Sequence, residues 1–434
     1  MANPPRKGRV VVVGGGFGGL AVARKLAGTP GVELTLVDRR NHHLFQPLLY
    51  QVATAALSPA EIASPIRTLL RGRARTRVLL DEVEGVDLEA RQVHTTAGAL
   101  DYDYLVLACG ASHSYFGHGE WEQHAPGLKS LEEATEIRRR ILTAFELAER
   151  EEDPKRQRRL LTFVVIGGGP TGVELAGALG EISRYTLGRD FARIDPRRTR
   201  VILIEAGPRI LGSFSESLSR RATRDLERLG VTVWTGSRVT QVNEEGIWLD
   251  DEHVEAATVL WAAGVKAAAI NESLGVELDR LGRAPVEADC SLAGHPEVFV
   301  IGDQASFAHT GDGKPLPGLA PVAMQQGRFV AAQIRGELAG KPRGRFRYTD
   351  KGQMATIGRR RAIVEFWSMQ FAGVLAWFTW LLVHIYYLIG FRNRLFVFFS
   401  WAWAYLWFSR GARLIVSKRW GSAAEGSGAI GERS

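Results

Sequence analysis

The sequence predicts an α/β protein that contains two copies of one strand–turn–helix unit and ends in a separate helical segment. The copies, Val11 to Ala27 and Val164 to Gly180, match at 8 of 17 positions with an offset of 153 residues. That offset has the length of a domain and is too long for a solenoid period. A chain of 434 residues, 45% of them apolar and 24% charged, also has room for two or three globular domains. We therefore expect two related α/β domains followed by a smaller segment.

Positive charge is concentrated near the C-terminal end of the chain. The net charge is +8, but the segment from Lys341 to Trp420 holds fourteen basic and two acidic residues, so the rest of the chain carries −4. Because the same segment is rich in aromatic residues, it favours an anionic lipid surface as partner and not nucleic acid. The two cysteines, Cys109 and Cys290, suggest neither a disulfide framework nor a metal site, which fits a cytoplasmic location.

Each copy of the repeat places three glycines between a strand and a helix. They are Gly14, Gly16 and Gly19 in the first copy and Gly167, Gly169 and Gly172 in the second. In such a motif the first glycine permits a tight turn, the second lets backbone N–H groups approach a pyrophosphate, and the third allows close helix–strand packing. The sequence therefore predicts two Rossmann-like dinucleotide-binding domains.

An acidic residue follows the second strand of each copy. Asp38 comes nineteen residues after Gly19, and Glu205 comes thirty-three residues after Gly172, with a basic insertion from Ser183 to Arg198 between them. A carboxylate at this position accepts both ribose hydroxyls and repels a 2′-phosphate, which favours NADH over NADPH. The alternative is that each is an ordinary exposed acid at a strand end.

A third strand, Glu297 to Ile301, ends in Gly302 and Asp303. An aspartate at the carboxyl end of such a strand faces the crevice where ligands bind in open α/β sheets. It could hydrogen-bond the ribityl or phosphate groups of a flavin, although a Gly-Asp pair after a strand is also a common turn. Two dinucleotide sites in one chain suggest one held and one exchanging cofactor.

Further motifs carry a resemblance to a known family. The strand end from Leu105 to Gly110, Trp261 to Gly264 and Ile301 to Asp303, with the two glycine motifs, resemble the two-dinucleotide-binding-domain flavoproteins. The stretches Asp38 to Ala53 and Leu316 to Gly327 are similar to type II NADH:quinone oxidoreductases. This resemblance covers nearly the whole chain. It implies hydride transfer from NADH to FAD and two-electron reduction of a quinone at a membrane surface, without proton pumping.

The resemblance assigns residues to each cofactor. For FAD it implies the first glycine motif with Asp38, together with Cys109, Gly110, Asp303 and Ala323; for NADH it implies the second motif with Glu205, Ala263 and Gly264. Cys109 stands where relatives commonly carry threonine, and a backbone role survives that change. Ala320 and Pro321 stand where many relatives have Ala-Gln beside the quinone. Gln325 or Gln326 could take over that role, or at least one of them packs or caps on the following helix.

Glu174 is the candidate catalytic residue. It aligns with Ala21 in the other copy, so the fold accepts a small apolar side chain at this place. One interpretation is an acid in the first turn that interacts with the helix dipole. The other, also implied by the resemblance, places the carboxylate where nicotinamide, flavin and quinone meet, orienting NADH or assisting quinone protonation.

The C-terminal segment predicts attachment to one membrane leaflet. Phe366 to Phe391 holds 26 residues without a formal charge, and Leu395 to Ser409 holds 15. Arginines flank the longer run at both ends, which disfavours a simple span under the positive-inside rule. We expect monotopic attachment at the cytoplasmic face of the inner membrane, with a true span or a buried dimer interface as alternatives. Six tryptophans suit an interfacial depth: Trp367, Trp377, Trp380, Trp401, Trp403 and Trp407.

The predicted domain organisation is discontinuous. Residues 1–125 and 285–345 form an FAD-binding domain, 126–284 an NADH-binding domain, 346–420 a membrane-associated segment and 421–434 a disordered tail. The resemblance also implies a homodimer. Two alternative functions stay open. One is a sulfide:quinone-type flavoprotein, which would need a reactive cysteine pair, and the other is a non-catalytic NADH-sensing membrane flavoprotein.

Overall fold

The structure is a computed structural model that describes residues 8–188, 190–311, 313–407 and 412–416. The predicted disordered tail at 421–434 lies outside these ranges. Within them, the chain forms two open, mainly parallel sheets with helices packed against them, followed by an antiparallel hairpin sheet and two apolar helices. The predicted α/β class with two Rossmann-like sheets is therefore confirmed.

The first sheet has six strands. In spatial order they are Ser291–Leu292, His295–Val300, Tyr104–Leu107, Gly8–Val13, Val32–Asp38 and Thr76–Leu80. All neighbours are parallel except the first pair. The helices Phe17–Leu26 and Ala320–Leu338 pack closely on each other beside this sheet. Its strands are hydrophobic on both sides, as expected for a parallel sheet covered by other layers.

The second sheet repeats the centre of the first. Its four parallel strands are, in spatial order, Val231–Thr235, Arg200–Glu205, Thr162–Ile166 and Thr258–Trp261. In both sheets the strand before the glycine motif lies between the strand that ends in the acid and a later strand. The internal repeat read from the sequence is thus a repeat of topology. The helices packed on this sheet are Leu131–Arg150, Pro170–Glu181 and Glu216–Arg228.

Smaller elements connect these layers. Three antiparallel sheets have three strands each. The first contains Val83–Asp87, Gln92–Thr95 and Gly98–Asp101, and the second contains Gln241–Asn243, Gly246–Leu249 and Glu252–Glu255. The third, the hairpin sheet, contains Gln353–Gly358, Arg361–Phe366 and Met369–Ala372. Two-stranded ladders join His42–Leu44 to Ala63–Pro65, Ala111–His113 to Val265–Ala267, and Ala284–Pro285 to Ala305–Ser306. Short helices are Leu49–Ala53, Pro59–Ile62, Ile66–Leu69 and Pro154–Leu160. Further helical turns, of the 3₁₀ or π type, are Gln46–Leu48, Gly119–Gln123, Ile182–Thr186, Pro196–Arg198, Ala269–Leu274 and Gly302–Gln304.

The two helices near the C-terminal end are Val374–Tyr387 and Phe391–Trp407. The 26-residue uncharged run is not one helix, because its first part completes the hairpin sheet and Gly373, at φ +85°, separates that sheet from a helix of 14 residues. Across the described ranges we find no helix that combines the length and apolar character needed to cross a membrane.

The prediction for the tryptophans is wrong for three of them. Trp377, Trp380 and Trp401 are buried in a hydrophobic core that also contains residues of the second sheet and its helices. Their rings fill the space between the two apolar helices and the layer formed by the second sheet and its helices, so they cannot lie at a lipid interface. Trp367, in contrast, is 74% exposed. The side chains of Trp403 and Trp407 lie outside the described part of the chain.

Candidate active site

The first glycine motif forms a tight loop against the acid that follows the second strand. Gly14 has φ +99°, and a Cβ atom there would lie 2.4 Å from the carbonyl oxygen of Ala108. A Cβ on Gly19 would lie 1.8 Å from the carbonyl oxygen of Gly14, which explains the need for glycine. At Gly16 a Cβ would meet nothing within 4 Å. This open approach to the backbone is what a pyrophosphate requires.

The Asp38 carboxylate lies at the base of this loop. It accepts hydrogen bonds from the backbone N–H of Gly15 at 2.5 Å and of Arg40 at 2.6 Å. The buried imidazole of His43 donates through Nδ1 to the carbonyl oxygen of Gly15 at 2.9 Å, because a carbonyl can only accept. The loop is therefore held in shape from both sides, and these residues fit an adenosine diphosphate moiety.

The second glycine motif has the same construction. A Cβ on Gly172 would lie 1.8 Å from the carbonyl oxygen of Gly167, whose φ is +110°, and a Cβ on Gly169 would meet nothing within 4 Å. Glu205 accepts from the N–H of Gly168 at 2.7 Å and from that of Gly207 at 2.6 Å. Both predicted acids thus hold the glycine loop they follow, despite their different sequence spacings.

Asp303 lies in the short helical turn after strand His295–Val300, at the carboxyl end of the first sheet. Burial raises the pKa of its carboxyl group, and the positive charges of Lys129 and Arg283 oppose that shift. Burial in turn lowers the pKa of the Lys129 ammonium, which Asp303 and Glu133 oppose. The sequence reasoning missed Lys129. It stands one residue before the N-cap Ser130, and no strand end or glycine motif marks it.

The remaining predicted cofactor residues lie at strand ends of both sheets. The backbone N–H of Cys109 donates to Oε1 of Gln304 at 2.6 Å, and Gly110 has φ +71°. Ala263 and Gly264 follow strand Thr258–Trp261, and a Cβ on Gly264 would lie 2.6 Å from the Phe116 ring. Loss of hydration raises the pKa of the Cys109 thiol to about 12. A backbone role for Cys109 fits this geometry, whereas thiolate chemistry does not.

A cavity of about 370 Å³ lies between several separate parts of the chain. The segment Tyr50–Ala56 of the first domain, helix Pro170–Glu181 of the second, the hairpin around residues 356–361 and the two apolar helices all contribute to its lining. The buried indole rings of Trp377, Trp380 and Trp401 form part of its wall. The cavity is therefore mostly apolar where the last two helices close it, with polar groups from the catalytic domains opposite.

Glu174 projects into this cavity from helix Pro170–Glu181. It is the fifth residue of that helix, beyond the first turn, so the interpretation as a first-turn acid is wrong. Burial raises the pKa of its carboxyl group to about 8, opposed by the N–H of Thr356, which donates at 3.4 Å, and by the nearby Trp380 indole. The Nε1–H of Trp380 falls short of full hydrogen-bond geometry. At neutral pH this carboxyl group is mostly protonated.

The two candidate glutamines both have partners within the protein. Gln326 is buried and accepts through Oε1 from the N–H of Gly302 at 2.8 Å. Gln325 bonds the backbone of Thr349 in both directions, at 2.9 and 3.0 Å. Neither lines the cavity around Glu174. The quinone-side assignment of both residues stays a prediction.

Gln51 is a cavity residue that the sequence reasoning missed. Its side chain is buried, accepts from the indole N–H of Trp401 at 2.8 Å and donates to the Tyr50 hydroxyl at 2.9 Å. Nearby, the Arg138 guanidinium group donates hydrogen bonds to the backbone carbonyls of Val52 and Leu57, both at 2.8 Å. These contacts fix the cavity wall to the last helix, and a sequence pattern cannot show them because the partners lie far apart in the chain.

Comparison with known proteins identifies the class. A family profile described as pyridine nucleotide-disulphide oxidoreductase matches residues 8–327, so the chain belongs to that family. Two type II NADH:quinone oxidoreductases of Mycobacterium tuberculosis, Ndh and NdhA, are 43% and 41% identical, covering 96% and 94% of this chain and 92% and 90% of theirs. One from Staphylococcus haemolyticus is 31% identical over 82% of this chain and 89% of its own.

The chain therefore belongs more narrowly to the type II NADH:quinone oxidoreductases, with FAD as cofactor and NADH as electron donor, as the sequence predicts. Among solved structures, NDH2 from Plasmodium falciparum in complex with NADH matches with a TM-score of 0.84 at 18% identity, over 95% of this chain and 100% of that chain. The sulfide:quinone oxidoreductase of Aquifex aeolicus matches at 0.70 and 20% identity, over 89% and 92%. These two likenesses show the fold alone.

Proposed function

We propose that this chain oxidises NADH and reduces a quinone at the cytoplasmic face of the inner membrane, without translocating protons. One observation carries the proposal. Helix Pro170–Glu181 begins at the second glycine motif and carries Glu174 into a cavity that is closed by the two apolar helices. A single rigid element thus joins the nucleotide loop to a compartment suited to an apolar, membrane-derived substrate.

The residues of the first domain hold FAD in this proposal. Gly14, Gly16 and Gly19 with Asp38 hold its adenosine and pyrophosphate. The half-buried, electrostatically coupled Asp303 and Lys129 hold polar groups of the ribityl side, with backbone at Cys109, Gly110 and Ala323 beside them. FAD, when bound, supplies the two-electron carrier between the nucleotide and the quinone. The protein contributes position, charge and exclusion of water.

The second domain holds NADH. The loop that Gly167, Gly169 and Gly172 form holds the pyrophosphate, Glu205 holds the ribose, and Ala263 and Gly264 line the passage toward the first domain. A quinone gains two protons when it is reduced, and in this proposal Glu174 donates one. Since its pKa is about 8, this carboxyl group carries a proton at pH 7 and releases it close to neutrality.

The alternative with sulfide chemistry is disfavoured by the thiols. Burial raises the pKa values of both Cys109 and Cys290 above their usual range. Cys290 is fully buried beneath the first sheet's edge strands, whereas a persulfide-forming pair must reach a bound flavin. The rate of NADH oxidation with quinone tests the other alternative, a non-catalytic NADH sensor, because a sensor would not oxidise NADH rapidly.

The test is steady-state NADH oxidation by the detergent-purified protein with quinone acceptors, together with its flavin spectrum. Reconstitution into vesicles that contain a pH-sensitive dye then follows proton movement. We expect a yellow protein, rapid quinone-dependent oxidation of NADH and no internal pH change. A colourless protein, or acidification that depends on turnover, would contradict the proposal. Sedimentation equilibrium in detergent tests the homodimer that the resemblance implies.

Replacing Glu205 by glutamine is expected to weaken the preference for NADH over NADPH. The amide keeps the size of the side chain. It loses the negative charge that repels a 2′-phosphate, and it replaces one of the two carboxylate oxygens, which accept hydrogen bonds, by an NH₂ group. A hydrogen bond to a charged group contributes about 1.5–3 kcal/mol, so kcat/KM for NADH should fall about tenfold or more. The ratio of kcat/KM for the two nucleotides measures the effect. Glu227→Gln, at an exposed carboxylate of the same domain, is the control and should leave the ratio unchanged.

The membrane contact is proposed to be an exposed apolar face of helix Val374–Tyr387. The side chains at positions i, i+3, i+7 and i+11 lie on this face: Leu375, Phe378, Leu382 and Tyr386, exposed by 67%, 53%, 69% and 70%. Phe396 and Phe399 of the next helix are also more than half exposed. An apolar face next to buried tryptophans and flanking arginines is typical of a helix that lies in one leaflet.

A triple substitution of this face, Leu375→Gln, Phe378→Gln and Leu382→Gln, is expected to abolish binding to phosphatidylcholine vesicles. Each large apolar side chain contributes about 1.5–3 kcal/mol when buried, so the partition constant should fall more than a hundredfold. NADH oxidation with a water-soluble acceptor should persist. The control substitutes three exposed leucines elsewhere, Leu80, Leu147 and Leu281, by glutamine. Equal loss of vesicle binding in both variants would contradict the assignment of this face.

A further inference from the structure

A second concentration of positive charge lies outside the C-terminal segment, in the first domain. Between positions 67 and 77 there are five arginines and no acidic residue. All five side chains are exposed: Arg67, Arg71, Arg73, Arg75 and Arg77. The net charge of the catalytic part conceals this cluster, because acidic residues elsewhere outweigh it.

The arginines line a concave site. A cavity of about 440 Å³ is lined by Arg67, Arg71, Arg73 and Arg77, together with backbone and apolar groups of the same segment. Gly72, at φ +73°, and Arg75, at φ +51°, turn the chain sharply between helix Ile66–Leu69 and strand Thr76–Leu80. The left-handed conformation of Arg75 is unusual for a residue with a side chain. The turn thus folds the basic segment back on itself and brings its cations to one groove, which we call the arginine groove.

The charge of the arginine groove is not neutralised by the protein. Within the described ranges, no ion pair or side-chain hydrogen bond joins any of the five guanidinium groups to a carboxylate. Several like charges in one concave site repel one another and raise the local positive potential. Such a site attracts anions, and the planar guanidinium group matches the oxygens of a phosphate in a two-pronged geometry.

The groove adjoins the proposed membrane contact. Asn393, near the start of the last helix, donates to the carbonyl oxygen of Ala63 at 3.2 Å and to the Ser64 hydroxyl at 3.3 Å, three residues before Arg67. Ile389, in the loop between the two apolar helices, packs against the same core as Leu69. Arg392 and Arg394 flank Asn393. Arg67 of the first domain and the arginines at the start of the last helix therefore lie toward the C-terminal end of the apolar face.

We propose that the arginine groove binds the phosphate of an anionic phospholipid headgroup and fixes the orientation in which the enzyme lies on the membrane. The proposal rests on the proposed attachment through the apolar face. It assigns the two contacts different tasks. The apolar face gives affinity for any bilayer, whereas the groove adds affinity only where the headgroups are anionic and the salt concentration is low.

The test uses the full-length protein and vesicles of phosphatidylcholine, alone or mixed with phosphatidylglycerol. The variant carries Arg71→Gln, Arg73→Gln and Arg77→Gln, and leaves Arg67, which follows the fully buried core residue Ile66, untouched. One arginine near an anionic surface contributes roughly fivefold to the partition constant, so the triple variant should bind the mixed vesicles about a hundredfold more weakly. Its binding to pure phosphatidylcholine and its NADH oxidation with a water-soluble acceptor should match the wild type.

The control variant removes the same charge from the second domain. It carries Arg158→Gln, Arg224→Gln and Arg238→Gln, three exposed arginines outside the arginine groove. If both variants lose the same affinity for mixed vesicles, the effect is one of net charge and the proposal is wrong. It is also wrong if wild-type protein prefers mixed vesicles no more than pure ones, or if it binds duplex DNA through these three arginines. Failure of the wild type to bind any vesicle would instead contradict the proposed membrane attachment.

Discussion

Replacing Gly169 by alanine is expected to leave the chain folded and the flavin bound while weakening NADH binding about tenfold to a hundredfold. In the protein itself an added Cβ would meet nothing within 4 Å, and the φ of −72° suits any residue. The methyl group would occupy the space through which a pyrophosphate approaches the backbone N–H groups. Overpacking of this kind costs about 1–3 kcal/mol, and here it destabilises only the complex with NADH and not the free protein. The measurement is the dissociation constant of NAD⁺, which binds the same loop without reducing the flavin, by flavin fluorescence, together with the KM for NADH and the thermal unfolding midpoint.

The matched control is the neighbouring position Gly172. There a Cβ would lie 1.8 Å from the carbonyl oxygen of Gly167, so alanine must displace the backbone of the loop. We expect Gly172→Ala to lower the unfolding midpoint as well as NADH affinity. Gly169→Ala with unchanged NADH affinity would show that the pyrophosphate does not pass this glycine, and the nucleotide assignment of the second loop would fail.

The glycine loops and their acids were predictable because each depends on local geometry. The turn forces φ to about +100° at Gly14, and Gly19 lies in close contact with its own loop. Only glycine satisfies both conditions, so the spacing of the glycines can be recognised in the sequence. The acids followed from the strand that ends beside each loop. Even the long insertion before Glu205 did not hide it, because the strand pattern that precedes it was intact.

The cavity was not predictable, because its lining comes from segments more than a hundred residues apart in the sequence. Tyr50, Glu174 and Trp401 meet only through tertiary packing. The tryptophan prediction was wrong for the same reason. Composition shows that aromatic residues crowd the C-terminal helices, but not which side of a helix faces the catalytic body. Trp380 is almost fully buried, whereas Phe378, two residues earlier, is more than half exposed.

Charge averaging concealed the arginine groove in a related way. Summing over the catalytic part of the chain gives a small negative charge, yet the solvent meets charges locally, within a screening length of about 8–10 Å at ordinary salt concentrations. Lys129 was overlooked because only its charge interaction with the half-buried Asp303 marks it, and no spacing rule encodes that interaction.

The substitution Glu174→Gln is expected to lower quinone reduction about a hundredfold and to remove a pH dependence centred near pH 8. The amide fills the same space but carries no transferable proton, and loss of a general acid typically costs 10² to 10⁴ in rate, so about a hundredfold is a conservative expectation. In the wild type, kcat should fall as pH rises through about 8, the pKa of Glu174. The variant's residual activity should not show this step. The pH profile of kcat with quinone is the measurement, and Glu146→Gln, at an exposed acid of helix Leu131–Arg150, is the control.

Glu174 should also make the stability of the protein depend on pH, and this dependence distinguishes a proton donor from a side chain with only a structural role. Its pKa in the folded state, about 8, lies above the 4.5 of an unfolded chain, so the folded state holds one extra proton between these pH values. The protonated Glu174 carboxyl group therefore makes its full contribution to the free energy of unfolding below pH 4.5, and this contribution is lost as the pH rises to 8. At roughly 1.4 kcal/mol per unit of pKa, reduced by water in the cavity, Glu174→Gln should be more stable than wild type by about 2–4 kcal/mol at pH 9 and nearly equal to it at pH 5. Chemical unfolding at both pH values measures the difference. A constant difference would mean that Glu174 is ionised throughout and cannot supply the proton, even if the variant's turnover were low.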